Sequence, residues 1–210
     1  FAGSAVLSAN LASSAILNDL DPIIHKVFTN YSKLIVPEVF TQEDYFKYRK
    51  DPKWWKYIYC FQKMSFSGVF RYSKNGYNVP VKKNIQSISI RPEYLKALKR
   101  FKKLKPTILN LSFDKMDMDL FIGKVVVFDP PYEGSKAAYN KEFDYDSYWT
   151  MVNEVAKVAK SVLIFDSLKN LKKHNLPVVG TRKMRVNGKK AGDIEALAIL
   201  GENRYINKTE

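Results

Sequence analysis

Apolar positions along the chain recur at two spacings, and the changes between them mark out the elements. Val125-Val126-Val127-Phe128 is an uninterrupted run of β-branched and aromatic residues. Such a run reads as a buried parallel strand, and Asp129-Pro130-Pro131-Tyr132 must lie at its carboxyl end because prolines cannot continue it. Residues 15–18, 107–111 and 161–165 are further short apolar strands. Helical spacing places Ile24, Val27 and Phe28 on one face, then Leu95, Leu98 and Phe101 within 90–105, then Trp149, Val152, Val155 and Val158 within 148–160. Two strands at about 178–185 and 195–200 predict a closing hairpin, with Lys189 and Lys190 in its turn. Strands alternating with helices predict an α/β fold, in which ligands bind outside the carboxyl ends of the strands.

Local signals sharpen this outline. Thr41-Gln42-Glu43-Asp44 is a helix start with a capping pattern, and Asp21-Pro22 offers a second cap. Residues 64–81 predict a β-hairpin, with Lys74-Asn75-Gly76 as its tight turn and Phe66, Gly68, Phe70 and Tyr72 alternating before it. Residues 1–15 are small and apolar and lack a basic leader and an initiating Met, so they read as a strand-to-helix turn in a chain whose start lies upstream.

Composition narrows the class. A hydrophobic content of 46% in 210 residues supports one sizeable α/β domain with a small insertion and excludes general disorder. The single cysteine, Cys60, excludes a disulfide framework and fits a reducing compartment such as the cytoplasm. No apolar run reaches the roughly 18 residues of a membrane span, so no membrane partner is expected. His25 and His174 stand apart and no acids cluster at ligand spacing, so no metal is expected either.

Charge adds a function. Residues 42–106 carry 17 Lys and Arg against four acids, net +13, within a chain whose total is +14. A solvated surface spreads its charge, whereas a polyanion-binding segment concentrates it. With Tyr45, Phe46, Trp54, Trp55 and Tyr59 interleaved among the bases, the pattern is the electrostatic footprint of a nucleic-acid partner.

The tetrapeptide after the apolar strand carries candidate chemistry. Asp129 offers a carboxylate acceptor, the prolines stiffen the backbone and lack an N–H, and Tyr132 offers a flat ring. An exocyclic amine on a planar base fits these parts, its two hydrogens accepted by Asp129 and the Pro130 carbonyl while the ring stacks on Tyr132. Taken by itself, the same tetrapeptide is also an ordinary turn after a core strand.

Asp129-Pro130-Pro131-Tyr132 resembles the signature of amino-group DNA methyltransferases, and the chain around it resembles the Dam-type, D12 class, alpha-group DNA adenine methylases. Phe1-Ala2-Gly3-Ser4-Ala5 is similar to the family's S-adenosylmethionine loop, with Ala5 where the family has a second glycine. Residues 16–21 resemble the acidic end of its second strand, and Gly68 to Tyr72 followed by Gly76 to Pro80 resembles its DNA-reading hairpin.

The resemblance implies a seven-stranded, mostly parallel sheet, with a cofactor half at 1–41, a target-recognition insertion at 42–106 and a catalytic half at 107–210. It implies S-adenosylmethionine as cofactor, double-stranded DNA as partner, and methyl transfer to the N6 amine of a flipped-out adenine. Phe1 to Ala5, Asp19, Phe113 and Asp129 would then meet the cofactor, with Asp21 left to cap a helix and Phe113 also readable as core. DNA would meet Val69 or Pro80 at a thymine methyl, Arg71 at a guanine edge and Tyr72 or Tyr77 by stacking, with Lys74, Asn75, Lys82, Lys83 and Tyr139 nearby. Alternatives are a cytosine-N4 or RNA amino-methyltransferase, and a nucleic-acid-binding homologue without activity. A metal-dependent nuclease is disfavoured by the missing carboxylate cluster.

Overall fold

The computed structural model describes residues 10–68, 70–89, 92–133, 143–186 and 189–201. They fall into two compact units, one ending at Asn110 and the other beginning at Leu111.

The first unit contains β1 (Ile16–Asn18), α1 (Pro22–Thr29), β2 (Val39–Thr41), α2 (Gln42–Tyr48), α3 (Ile58–Met64), β3 (Tyr72–Ser73), β4 (Gly76–Tyr77), β5 (Ser87–Ser89), α4 (Pro92–Leu104) and β6 (Thr107–Leu109). The caps form as the sequence predicts. Asp21 Oδ1 accepts from the Ile23 and Ile24 amides at 2.7 and 3.2 Å, which starts α1 on Pro22. At α2 the Thr41 hydroxyl accepts from the Asp44 amide at 3.1 Å, and Asp44 accepts the Thr41 amide at 3.0 Å in return. Each pair satisfies amides that a helix start otherwise leaves unbonded.

In this unit most aromatics turn inward and most bases turn outward, with Phe46 at 53% exposure an exception. Tyr45, Phe61 and Tyr77 are at most 1% exposed, and Phe61 stacks on Tyr77 with centroids 5.0 Å apart while meeting Tyr45 edge-on at 5.2 Å. Val27 of α1 joins the same cluster, so the basic segment shares its core with residues that precede it. Lys47, Lys50, Lys74, Lys83, Lys99 and Lys103 are exposed. Aromatic rings bury the most area per residue, and lysine heads stay hydrated, so interleaving in sequence becomes separation in space. On α4, Phe101 is buried, but Leu95 is 45% exposed and lies off the covered face.

The predicted hairpin is shorter than its alternation suggests. The β3–β4 ladder has two pairs, Tyr72 opposite Tyr77 and Ser73 opposite Gly76, with Lys74 and Asn75 as the turn. Phe66–Gly68 is a turn of 3-10 helix. Pairing resumes only beyond it, where Ser65 bridges Val81.

The second unit contains β7 (Val125–Phe128), α5 (Tyr145–Val158), β8 (Ser161–Ser167), α6 (Leu168–Lys173), β9 (Val178–Val186) and β10 (Lys189–Gly201). They make a four-stranded sheet in the order β7-β8-β10-β9. β7 and β8 are parallel, with Phe128 opposite Ile164, and β10 is antiparallel to both β8 and β9. Tyr148, Val152 and Val155 of α5 pack with Val162 and Ile164 of β8, all fully buried. Lys189 and Lys190 belong to β10, paired with Val186 and Arg185, and not to the turn.

The α/β class holds, and the expected seven-stranded mostly parallel sheet is corrected. Among the described residues, parallel pairing is confined to β1 with β6, where Ile16 faces Thr107, and β7 with β8. β1 and β6 are three residues each, and the direct β9–β10 connection forces that pair to be antiparallel. No helix among the described residues is long and apolar enough to cross a membrane.

Candidate active site

The sheet of the second unit delivers Asp129-Pro130-Pro131-Tyr132 to an edge. β7 and β8 run in the same direction, so Asp129, directly after Phe128, emerges at the carboxyl edge where Asp166 ends the buried row Val162, Ile164, Asp166 on β8. Asp129 is exposed while Pro130 behind it is buried, so the carboxylate faces away from the packed core. It accepts no hydrogen bond from another described side chain. Crowding by protein, then the negative charge of Glu195, push its carboxyl above the ordinary range. The residue keeps much of its solvent contact, which screens both effects.

Tyr132 is held from across the sheet. Its hydroxyl donates to Glu195 Oε1 at 2.8 Å, and the other Glu195 oxygen pairs with Arg182. Glu195 lies opposite both Ser167 of β8 and Arg182 of β9, which places the three in one row. Burial and the bond to Glu195 push the Tyr132 phenol well up, so it stays a neutral donor.

Glu133, the next residue, is clamped by α6. Lys173 reaches its carboxylate at 2.9 and 3.1 Å, and the Asn170 side chain donates to its carbonyl at 3.3 Å. Asn170 also donates to Asp166 Oδ1 at 2.8 Å, and the Ser167 amide donates to the same oxygen at 2.6 Å. Asp166 is 1% exposed, and its Oδ2 has no hydrogen-bond partner among the described residues. Burial pushes its carboxyl up, against the opposing pull of those hydrogen bonds. A buried carboxyl with one oxygen unsatisfied favours its neutral form.

The other expected site residues divide into three groups. Phe1 to Ala5, Val69 and Tyr139 lie outside the described residues. Asp19 and Phe113 belong to different units. Asp19 is half-buried at the end of β1, and its Oδ1 takes the Asp21 amide at 3.0 Å. Asp21 is committed as a cap and also accepts the Tyr72 hydroxyl at 2.9 Å. Phe113 is half-buried beside Phe143, with centroids 5.3 Å apart, and meets Tyr148 edge-on at 6.0 Å.

In the hairpin, Arg71, Lys74, Asn75, Pro80 and Lys83 are exposed. Arg71 is already partly engaged, with Nε donating to Asn78 Oδ1 at 2.9 Å and Nη2 to the Asn78 carbonyl at 3.1 Å. Lys82 donates to the Lys63 carbonyl at 2.6 Å. Tyr77 is the correction: at 1% exposure, with its hydroxyl donating to Ser65 at 3.2 Å, its ring is core and cannot stack on an opened duplex. Cys60 is fully buried and burial pushes its thiol up to about 12, which removes it as a nucleophile. Among the described residues no group of three or more His, Cys, Asp or Glu is placed to share a metal ion.

The model of the D12 class N6 adenine-specific DNA methyltransferase family matches residues 1–172. The chain belongs to that family. It is therefore an enzyme of that kind, an adenine-specific DNA methyltransferase, with an α/β fold and DNA as its substrate. No curated protein matches the chain. Around Asp129 to Glu133, the supporting residues Glu195, Asp166 and Asn170 are ones that sequence reasoning passed over. One signal was available: Asp166 is the lone acid of the apolar strand β8.

Proposed function

We propose that this D12-family enzyme transfers a methyl group from S-adenosylmethionine to the N6 amine of an adenine flipped out of double-stranded DNA. The observation that carries the reading is the exposed Asp129 carboxylate at the carboxyl end of β7, followed by a buried proline and a tyrosine held by its hydroxyl. Asp129 and the Pro130 carbonyl accept the two amine hydrogens, which leaves the nitrogen lone pair to act as nucleophile, and Tyr132 stacks on the base. Positioning and electrostatics make up the protein's share of catalysis. Extrusion costs a few kcal/mol, offset by stacking and hydrogen bonding in the pocket.

The family resemblance assigns Asp19 to the ribose hydroxyls of S-adenosylmethionine and Phe113 to its adenine ring, and assigns the methionine end to Phe1 to Ala5, which lie outside the described residues. When bound, that cofactor supplies the activated methyl group. Residues 42–106 act as the target-recognition segment, their exposed lysines on phosphates and the hairpin toward the bases. Arg71, Tyr72, Lys74, Asn75, Pro80, Lys82 and Lys83 are the described residues assigned to DNA, and Val69 and Tyr139, assigned with them by the resemblance, lie outside the described residues.

Incubation with methyl-labelled S-adenosylmethionine and duplex DNA, followed by nucleoside digestion and mass analysis, should yield N6-methyladenine. Recovery of N4-methylcytosine, or of label only in RNA, replaces this reading with one of its alternatives. Arg71→Ala should lower discrimination at one base pair by about 1–3 kcal/mol, read as kcat/KM across a set of single-base variants. Unchanged discrimination takes the hairpin out of base readout.

A further inference from the structure

We infer that Glu195 is a positioning residue for the Asp129–Tyr132 clamp, setting the tyrosine ring through its hydroxyl and acting on Asp129 through its charge. This rests on the function proposed above. The geometry is direct. Tyr132 meets Glu195 at 2.8 Å across 63 residues of sequence, the Glu195 side chain is only 19% exposed, and Arg182 holds its second oxygen. A half-buried ring on a loop has two soft side-chain torsions. A charge-assisted hydrogen bond to a strand residue fixes the ring's plane, which a stacking surface requires.

The carboxylate has a second effect on the neighbouring acid. Ionised, Asp129 is the stronger acceptor for its one amine hydrogen, and a nearby negative charge favours its protonated form. The groups around it are unequal. The Glu195 carboxylate on β10 raises Asp129, while Arg182 on β9 neutralises part of that charge. Asp166 on β8 and Tyr148 on α5 lie in the same electrostatic neighbourhood, and Glu133 is paired with Lys173 of α6. Activity should therefore fall as pH falls through the raised value of Asp129. Removing the Glu195 charge lowers that value and moves the acid limb to lower pH.

Three variants separate the two effects. Glu195→Gln keeps an oxygen acceptor for Tyr132 and removes the charge, so kcat at neutral pH should stay within about threefold while the acid limb moves down. Glu195→Ala removes both and should lower kcat about tenfold with KM for the methyl donor unchanged. Tyr132→Phe should reproduce the loss in kcat, and combining it with Glu195→Ala should add nothing further.

Carboxyl carbon NMR of aspartate-labelled protein gives a readout independent of turnover. The Asp129 resonance, assigned by its loss in Asp129→Asn, should titrate at lower pH in both Glu195 variants. An unmoved Asp129 titration together with wild-type kinetics overturns the inference. Absence of methyl transfer by the wild-type protein instead overturns the proposed function, and the carboxyl titration still decides the role of Glu195.

Discussion

Asp129→Ala should abolish methyl transfer, with kcat at least about a thousandfold lower, while binding of duplex DNA survives. The expectation follows from where the residue stands. Asp129 is exposed and follows the last residue of β7, so truncation removes no core packing, and Pro130 and Pro131 keep the backbone of the turn stiff. What disappears is an acceptor for the amine, whose hydrogens must be held for the lone pair to be presented. The DNA-binding surface is assigned to residues 42–106, which the substitution leaves alone. Single-turnover methylation measured beside a mobility-shift titration checks both halves. Turnover within a few fold of wild type would remove Asp129 from the reaction.

Gly76→Ala should destabilise the first unit by about 3 kcal/mol or more, through two independent causes. Gly76 has φ +103°, a backbone conformation that residues with a Cβ rarely adopt. An added Cβ would also overlap the carbonyl oxygen of Arg49, whose backbone passes directly beside the turn. That carbonyl accepts the Tyr77 amide at 2.9 Å, and Arg49 Nε donates to the Tyr77 carbonyl at 3.0 Å, so displacing one strand releases both bonds. Tyr77 would then leave its stack on Phe61. Gly123→Ala is the matched comparison. Its φ is +66°, but an added Cβ meets nothing within 4 Å, so only the backbone cost of about 1–2 kcal/mol applies. Urea denaturation of the two variants should show the difference, and equal midpoints would discard the packing argument.

What could be read from the chain was whatever is decided within a few residues. The β7 strand and its proline stop, the Thr41–Asp44 box, the Asp21 cap and the β9–β10 hairpin all depend on neighbours in sequence, and all formed. Long-range choices stayed hidden. Tyr72 and Tyr77 face each other across the hairpin and carry the same side chain, and only the packing against Phe61 decides that Tyr77 is buried. Phe66 and Gly68 fit a strand alternation, yet the segment curls into a 3-10 turn, with the Phe66 amide still donating to the Pro80 carbonyl. At the candidate site, the four residues of the signature were legible as a unit. Their supports were not, because Glu195 lies 63 residues from Tyr132 and Asn170 lies 37 from Glu133. Separations of that size produce no periodic signal.

Cys60 gives the first unit a built-in reporter. The thiol is sealed beneath Phe61 and its aromatic neighbours and is the single cysteine of the chain. A thiol-specific reagent can reach it only when that packing opens, so the rate of alkylation counts openings of this unit and ignores those of the other. Slower alkylation with DNA bound would then measure, without any label or mutation, how far the nucleic acid clamps the segment that reads it.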